Sequence, residues 1–352
     1  MQKKGKDRKN IRIDFNNRAS LTTMQLHTLK NNARRGYPHM KIIFAGTPDF
    51  AAVHLQKLID SKADICAVLT QPDRPKGRGH HLAPSPVKEV ALQAGIPVYQ
   101  PEKLRNNDEA IQTIRELNAD LMIVVAYGLI LPDEVIFAPR LGSINVHGSI
   151  LPRWRGAAPI QRSLWAGDAE AGVTIMKVAP ELDSGDIIRI ASVPITGEDT
   201  SLSLYEKLAE LGAATLCEMM PNIEELLGQS IPQDPALVTY AKKLTKEEAV
   251  LDFSLDAETL ERYVRTYIPW PLACFTLDGN TIKVHKAAVL REKTERAPGE
   301  IVKAGRDGLD IATANGILRI TELQLPNKKA MPFADVFNSK KEMFSTGRMV
   351  NS

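Results

Sequence analysis

From Met40 onward the sequence alternates short apolar runs with amphipathic stretches, and this alternation restricts the fold more than any other feature. Short apolar runs between helix-length stretches are typical of strands that crossover helices bury on both faces of a parallel sheet. The first five such runs read KIIFAG, DICAVLT, PVYQP, ADLMIVVAYG and GSINVHG. We therefore predict an α/β domain with a doubly wound, mostly parallel, Rossmann-like sheet over residues 40–227.

Two further apolar runs, VTIMKV and DIIRIASVPI, flank the sequence APELDSG and predict two strands joined by a loop. A long amphipathic helix is predicted next, over about residues 200–220, with Asp199 or Thr200 as its cap. Residues 228–241 contain two prolines and no hydrophobic periodicity. We therefore predict that they form a linker between two domains.

Beyond this segment the pattern changes to strands separated by turn signals. The signals are Asp278-Gly279, Arg306-Asp307-Gly308 and Asn315-Gly316. They predict a small β-barrel domain over residues 242–352, with a helix near residues 257–267 packed before it. Trp270, in the sequence IPWP, is expected in the core or at the domain junction rather than on a base-stacking surface.

The formal net charge of +3 is unevenly distributed. Counting Lys and Arg against Asp and Glu gives +8 for residues 1–39, −8 for residues 40–241 and +3 for residues 242–352. A phosphate-bearing partner would prefer the C-terminal part. Residues 1–39 lack the apolar segment of a secretory signal, so we expect a disordered extension before a start at Met40, with a nucleic-acid-binding arm as the alternative.

The three cysteines lie far apart and share no CxxC spacing, so neither a disulfide framework nor a metal site is predicted. No apolar run approaches the roughly 20 residues that a bilayer span needs. These features predict a cytoplasmic protein without a membrane segment or a bound metal. No sequence feature fixes the oligomeric state, and we expect a monomer.

The most informative stretch is GSINVHGSILP, at residues 142–152. Successive side chains of a strand alternate between its faces, so Asn145 and His147 point to the same side. Gly148 ends this run where open α/β sheets usually bind ligands, beyond the carboxyl ends of the strands. Two polar groups on one face can also simply satisfy nearby backbone groups, so this pair alone leaves the choice open.

The loop APELDSGD supplies two candidate acids, Asp183 and Asp186. A carboxylate beside an imidazole stabilises its charged form, which suits a group that supports a developing oxyanion. Asp-Ser-Gly is also ordinary turn chemistry, and for Asp186 we favour a purely structural role. Asn145, His147 and Asp183 together would suffice for the attack of an amine on a formyl or carbamoyl carbon.

Five segments together resemble the methionyl-tRNA formyltransferase family. They are FAGTPDFA at 44–51, TQPDRPKGRG at 70–79, AYGLILP at 126–132, NVHGSILPRWRGAAPIQ at 145–161 and LDSGDI at 182–187. The likeness runs from about Met40 to the C terminus, and only residues 1–39 depart from it. It implies transfer of the formyl group of 10-formyltetrahydrofolate to the α-amino group of methionyl initiator tRNA, for translation initiation, without a metal or redox cofactor.

The resemblance also implies site residues. The family's catalytic set falls on Asn145, His147 and Asp183. The folate is expected over the sheet edge, with its pterin held largely by backbone groups. The expected folate-binding positions are Ala126, Tyr127, Gly128, Leu129, Ile130, Leu131, Ser149, Leu151 and Pro152.

The basic loop at residues 71–88 is a candidate tRNA contact. Its four prolines and two glycines predict neither helix nor strand, and Asp73 is its only acid. In the resembled family this loop enters the acceptor arm, and the arginine at its centre corresponds to Arg78, which could stack on or fork onto an unpaired base. The expected tRNA-binding residues are Arg74, Lys76, Arg78 and Lys88 in the loop and Lys242, Lys243 and Lys246 in the C-terminal domain, which the resemblance implies to be an OB-like barrel. A solvated surface loop is the alternative.

Two other functions remain open. A formyltransferase for glycinamide ribonucleotide or an amino sugar, or a hydrolase that releases formate, would share the catalytic set but would not need the basic loop or the barrel. A non-catalytic nucleotide- or RNA-binding module could use the same sheet. The turn at Gly46 lacks GxGxxG, which weakens the dinucleotide version.

Overall fold

A computed structural model of the chain describes residues 40–76 and 81–351. They divide into two compact units that interleave along the chain. The first unit comprises the residues up to Gly156, Glu170–Pro194 and Glu206–Tyr240, and the second comprises Ala157–Ala169, Ile195–Tyr205 and Ala241 onward. The predicted extension over residues 1–39 lies outside the described residues, and the division into functional domains stays a prediction.

The strands, numbered in chain order, are β1 Lys41–Gly46, β2 Asp64–Leu69, β3 Arg74–Lys76, β4 His81–Ala83, β5 Val98–Tyr99, β6 Leu121–Val125, β7 Ser143–His147, β8 Arg155–Gly156, β9 Glu170–Lys177, β10 Ile187–Pro194, β11 Tyr240–Ala241, β12 Cys274–Leu277, β13 Asn280–Leu290, β14 Ile301–Gly305, β15 Gly308–Ala312, β16 Ile317–Gln324 and β17 Met331–Pro332. The helices are α1 Asp49–Asp60, α2 Pro86–Gln93, α3 Asp108–Glu116, α4 Asp133–Ile136, α5 Pro159–Ala166, α6 Ser201–Met219, α7 Ile223–Gly228, α8 Ala257–Thr266 and α9 Phe333–Phe337.

The first unit is built on a seven-stranded sheet with the order β10-β9-β7-β6-β1-β2-β5. The five strands from β7 to β5 are parallel, which confirms the predicted Rossmann-like sheet. Every residue of β6 is buried, as expected for a strand covered on both faces. The two predicted later strands, β9 and β10, are antiparallel and extend the sheet beyond β7.

Local capping explains where the helices begin. The hydroxyl of Ser85 accepts the Lys88 backbone N–H at 3.1 Å, and Pro86 occupies the first turn of α2. The long predicted helix is α6, and Thr200 is its cap because its hydroxyl accepts the Ser203 backbone N–H at 3.1 Å. Such caps contribute about 1 kcal/mol each.

The segment predicted as a linker, residues 228–241, is attached to the first unit over most of its length. Ile231 and Ile187 exchange two backbone hydrogen bonds of 2.8 and 2.9 Å, so the segment pairs with the first residue of β10. Pro235–Leu237 forms a single 3-10 turn. The two prolines and the lack of hydrophobic periodicity therefore belong to a connection that pairs like a strand at Ile231 and then forms a 3-10 turn.

The second unit contains an antiparallel sheet with the order β12-β13-β16-β15-β14, in which β17 also pairs with β16. The three predicted turn signals join β12 to β13, β14 to β15 and β15 to β16. The sheet is curled into a half barrel, and α8 coincides with the predicted helix. Its core is closed by buried side chains that include Leu260, Phe275, Ile311 and Phe333. Trp270 does not lie in the core, because it is 53% exposed, and the alternative position at the domain junction stays a prediction.

Within the described residues, no helix is long and apolar enough to cross a bilayer. The three cysteines are free in the structure.

A histidine lies in the core of the first unit, on α1. The side chain of His54 is fully buried, and its Nδ1 lies 2.7 Å from the carbonyl oxygen of Phe50. Its Nε2 has no hydrogen-bond partner and faces Gly212 of α6, where an added Cβ would lie 2.6 Å from that nitrogen. Burial lowers the pKa of His54 from 6.5 to about 4, so the ring is neutral in the folded protein near neutral pH.

This histidine predicts a pH-dependent stability of the first unit. The folded pKa lies below the unfolded one, so the unfolded chain takes up the proton first, and stability falls as the pH drops below about 6.5. As the pH falls from about 7.5 to about 5, we expect the wild type to lose about 2 kcal/mol of unfolding free energy relative to the variant His54→Leu, which lacks the titrating ring.

Urea unfolding at the two pH values measures this change in unfolding free energy. Hydrogen exchange of the backbone amides in α1 measures it locally. His285→Leu, at a half-buried histidine of the second unit, is the matched control and should leave the exchange in α1 unchanged. If the unfolding free energies of wild type and His54→Leu changed equally with pH, the lowered pKa of His54 would be contradicted.

Candidate active site

The candidate site is built on β7, which lies between β6 and β9. Asn145 pairs with Val124 on one side and Met176 on the other, and His147 pairs with Thr174. The regular register keeps the two polar residues on one face of the sheet. The amide of Asn145 is half-buried and has no hydrogen-bond partner among the described residues, so it is available to a ligand.

The imidazole of His147 is 6% exposed, and each of its nitrogens faces an oxygen atom. Its Nε2 lies 2.8 Å from the carbonyl oxygen of Trp154, and its Nδ1 lies 3.7 Å from Oδ2 of Asp183. A carbonyl oxygen can only accept a hydrogen bond, so Nε2 carries a hydrogen. The other nitrogen, Nδ1, faces the carboxylate.

Asp183 lies in the loop between β9 and β10 and has a left-handed backbone, with φ of +50°. Its Oδ2 accepts the backbone N–H of Gly156 at 2.8 Å. The carboxylate is therefore held by a different loop, rather than by its own turn. Two residues later, an added Cβ at Gly185 would lie 1.8 Å from the carbonyl oxygen of Lys177, so only glycine fits this close return of the chain.

The route of this loop follows from the register of β9 on β7. The flanking strands do extend the sheet, but Lys177 at the end of β9 lies opposite Ile144, and Thr174 lies opposite His147. The loop therefore leaves β9 about 10 Å along the strand from His147 and must fold back to bring Asp183 to it. Asp186, which was expected to be structural, lies 3.8 Å from the Lys177 ammonium.

The loop after β6 carries most of the expected folate-binding positions. Ala126 and Gly128 have positive φ values of 46° and 82°, and the carbonyl oxygen of Tyr127 accepts hydrogen bonds from Thr47 at 2.8 Å and Gln71 at 3.0 Å. Two side chains thus hold this carbonyl, while Ala126, Gly128 and Ile130 are exposed. The ring of Tyr127 is buried, and burial raises the pKa of its hydroxyl.

The expected folate-binding positions after β7 point into the protein instead. Ser149 and Leu151 are 3% and 2% exposed, and the Ser149 hydroxyl donates to the carbonyl oxygen of Arg153 at 2.7 Å. Thr174 ties the turn together, because its hydroxyl donates to the Ser149 carbonyl at 2.7 Å and accepts the Leu151 N–H at 3.0 Å. These two side chains support the turn, while Pro152 is half-buried. Folate contact at these positions stays a prediction.

The basic loop contains more regular structure than expected. The prediction that it forms neither helix nor strand was wrong, because β3 and β4 form a short antiparallel pair and α2 starts at Pro86. The guanidinium of Arg74 donates to Oε1 of Gln71 at 2.5 Å, which links β3 to the residue that holds the Tyr127 carbonyl. Arg78 and the side chain of Lys76 lie outside the described residues.

Lys88 is a departure from the expected set of free cations. It lies on α2, and its ammonium contacts both carboxylate oxygens of Asp73 at 2.8 and 2.9 Å. Together with a 2.7 Å hydrogen bond from Gln100, this contact lowers the pKa of Asp73. The single acid of the loop therefore offsets the charge of Lys88, which weakens the expectation that it binds phosphate.

The cations expected in the second unit do lie on the surface. Lys242, Lys243 and Lys246 are exposed. Arg162 of α5 fixes the backbone beneath them, because its guanidinium donates to the Lys242 carbonyl at 3.0 Å and the Lys243 carbonyl at 3.2 Å. Arg162 is only 8% exposed, so its guanidinium binds backbone carbonyl groups inside the unit, and the three lysines supply the charge at the surface.

Sequence reasoning missed the two backbone groups that hold the catalytic candidates, the carbonyl of Trp154 and the N–H of Gly156. Their side chains gave no signal, because a main-chain donor or acceptor is present at nearly every position. Over residues 40–76 and 81–351, no group of histidine, cysteine and carboxylate side chains could hold a metal ion.

Comparison with known proteins places this geometry in a family. The family profile described as formyl transferase matches residues 40–220, and the profile described as formyl transferase, C-terminal domain, matches residues 243–341.

Solved structures share the fold at low sequence identity. HypX from Aquifex aeolicus, in complex with tetrahydrofolic acid, is 19% identical with a TM-score of 0.55, over 86% of this chain and 47% of that chain. This chain thus spans about half the length of HypX. WlaRD, a sugar 3N-formyl transferase in the presence of dTDP and 5-N-formyl-THF, is 18% identical with a TM-score of 0.58, over 83% of this chain and 100% of that chain.

A third structure is an N-formyltransferase from Helicobacter canadensis in complex with folinic acid and dTDP-3-aminofucose. It is 17% identical with a TM-score of 0.59, over 80% of this chain and 98% of that chain. Because the two profiles together cover most of the sequence, this chain belongs to the formyl transferase family.

Proposed function

We propose that this protein transfers the formyl group of 10-formyltetrahydrofolate to the α-amino group of methionyl initiator tRNA. The observation that carries the chemical part is the pairing of His147 Nδ1 with Asp183 at 3.7 Å, beside the unpartnered amide of Asn145. The solved structures that contain tetrahydrofolic acid, 5-formyl-THF or folinic acid support a folate as the formyl donor.

The neutral amine attacks the formyl carbon, so a carbon–nitrogen bond forms as the bond from that carbon to N10 of the folate breaks. Negative charge develops on the formyl oxygen in between, and donors aimed at that oxygen lower the barrier. The amide of Asn145 and the imidazole of His147 supply these donors. Asp183 receives the proton that the amine loses, through a water molecule, and passes it on to the N10 leaving group, so the carboxylate is regenerated.

The exposed backbone of the loop at residues 126–131 suits a pterin, whose ring edge presents both donors and acceptors. The positive φ values of Ala126 and Gly128 turn successive peptide groups outward. Residues 128–130 give no backbone N–H to another described residue, which leaves these donors to a ligand or to water. Apolar contact would come from Ile130, which is 71% exposed.

Two features favour tRNA over a small amine. The cluster Lys242, Lys243 and Lys246 is exposed on a backbone that Arg162 holds, and adjacent cations of this kind bind phosphates. The basic loop of the first unit includes Arg78, which the resemblance assigns to the unpaired end of initiator tRNA. The rival acceptor is an amino sugar, because one of the similar structures contains dTDP-3-aminofucose.

A comparison of acceptors tests this proposal. Purified protein and 10-formyltetrahydrofolate are mixed with methionyl initiator tRNA, methionyl elongator tRNA, glycinamide ribonucleotide, a dTDP-amino sugar, or water alone, and tetrahydrofolate formation is followed by absorbance. We expect turnover with the initiator tRNA to exceed turnover with every other acceptor. A preference for the amino sugar or for water would show that tRNA is not the acceptor. The absence of turnover with every acceptor would refute formyl transfer itself.

The catalytic assignment predicts large and local effects. We expect His147→Ala and Asp183→Asn each to lower turnover by at least ~10², the usual scale for losing an oxyanion donor or an acid–base group. Asp186→Asn is the matched control in the same loop and should stay near wild type. Near-normal turnover of either site variant would refute its assigned role.

The cation cluster predicts a salt-dependent effect on binding. We expect the double substitution Lys242→Ala and Lys243→Ala to weaken tRNA binding and to lower the slope of log Kd against log salt concentration by about 1 to 2. The control replaces Lys340 and Lys341, an adjacent exposed pair of the second unit, and should leave both quantities unchanged. Equal losses in the two double variants would mean that the positions of the cations do not matter.

A further inference from the structure

The segment between α7 and β11 carries a glutamine whose polar atoms are all used. Gln233 follows Pro232 and precedes Asp234-Pro235, so the backbone is restricted on both sides of it. Its Nε2 lies 2.8 Å from the carbonyl oxygen of Asp183 and 2.9 Å from that of Gly185. Its Oε1 accepts Nε of Arg155 at 3.0 Å.

These three hydrogen bonds bridge the two loops that hold the catalytic candidates. On one side is the loop that carries Asp183. On the other is the turn at residues 152–156, whose Trp154 carbonyl binds His147 and whose Gly156 N–H binds the Asp183 carboxylate. Gln233 contacts this turn through the Arg155 side chain, which is only 8% exposed.

The same segment contacts the turn a second time. The hydroxyl of Thr239 accepts the Trp154 N–H at 2.9 Å, and its carbonyl accepts the Arg155 N–H at 2.8 Å. The Pro152 carbonyl receives the Thr239 N–H at 3.4 Å. The segment between α7 and β11 therefore contacts both the Asp183 loop and the turn at residues 152–156. Gln233 is the residue through which it contacts Asp183.

Such a contact stabilises the backbone of Asp183. Its φ of +50° is in the left-handed region, which is less favourable for a residue with a Cβ than for glycine, although aspartate adopts it more readily than most. Gln233 holds the carbonyl of this same peptide, and without that hydrogen bond the peptide can rotate and carry the carboxylate away from His147. A displacement of about 1 Å in a reacting group can cost up to ~10²-fold in rate.

We propose that Gln233 is a positioning residue that sets the distance between Asp183 and His147. The proposal rests on the proposed formyl transfer for its kinetic test, and a second measurement on the free protein is independent of any substrate. Gln233 acts through the carbonyl groups of Asp183 and Gly185, so its loss should slow the chemical step more than it weakens substrate binding.

Two substitutions separate hydrogen bonding from shape. Gln233→Leu keeps a similar volume but removes all three hydrogen bonds. Gln233→Glu keeps an acceptor for Arg155 but, when ionised, cannot donate to the two carbonyl groups. The matched control is Gln229→Leu, because Gln229 is an exposed glutamine of the same segment whose amide donates only to Glu225.

We expect Gln233→Leu and Gln233→Glu each to lower kcat by about 10- to 100-fold, with KM for the tRNA within about twofold of wild type. The pH profile of kcat should change as well, whereas Gln229→Leu should match wild type in every respect. Wild-type kcat in both Gln233 variants, or an equal loss in Gln229→Leu, would overturn the proposal.

The measurement on the free protein uses the ¹⁵N resonances of the His147 imidazole, assigned by comparison with His147→Ala. Moving the carboxylate should shift the Nδ1 resonance in the Gln233 variants and leave it in place in Gln229→Leu. An unshifted resonance refutes the positioning role even if no acceptor is ever formylated. If wild type proves inactive while the resonance does shift, the proposed function fails and the positioning role stands.

Should Gln233→Leu fail to fold, Gln233→Asn carries the test, because it keeps the amide but shortens its reach by one methylene. The same loss of kcat and the same shift of the His147 resonance are expected. A wild-type result for this variant would count against the proposal.

Discussion

The orientation of the His147 imidazole is the constraint on which the rest of the site depends. The Trp154 carbonyl can only accept, so it fixes the hydrogen on Nε2 and turns Nδ1 toward Asp183. In the other tautomer Nε2 would carry no hydrogen, and the hydrogen bond to the Trp154 carbonyl would be lost. The turn at residues 152–156 is therefore as much a part of the proposed chemistry as the histidine itself, although it contributes main-chain atoms.

The sheet brings the catalytic candidates near one another but does not align them. The register of β9 on β7 starts the next loop near Ile144, and the chain must return along the strand before Asp183 reaches His147. Three conditions make that return possible: the missing side chain at Gly185, the left-handed backbone of Asp183 and the hydrogen bond from Gly156. The acid therefore depends on nonlocal contacts, whereas strand alternation alone places Asn145 and His147 on one face of the sheet.

The sequence predicted those parts of the structure that follow local rules. Apolar runs located the strands of the Rossmann-like sheet, and dipeptides such as Asn315-Gly316 located the hairpins of the half barrel. Local patterns failed where contacts join distant residues. They could not reveal that Asp73 offsets the charge of Lys88, that residues 157–169 group with the second unit, or that Gln233 lies against the Asp183 loop. Proline content identified the connecting segment as irregular without indicating what it touches.

The bridge between Ile187 and Ile231 bears on where the chain can be shortened. The family profile for the first part ends at residue 220, and a fragment cut there would retain every strand of the seven-stranded sheet. It would also expose the outer edge of β10 at Ile187, where the chain otherwise pairs with Ile231, and open strand edges recruit other chains. An expression fragment that stops after Tyr240 keeps this cover, so the smallest stable catalytic fragment should end about twenty residues later than the profile indicates.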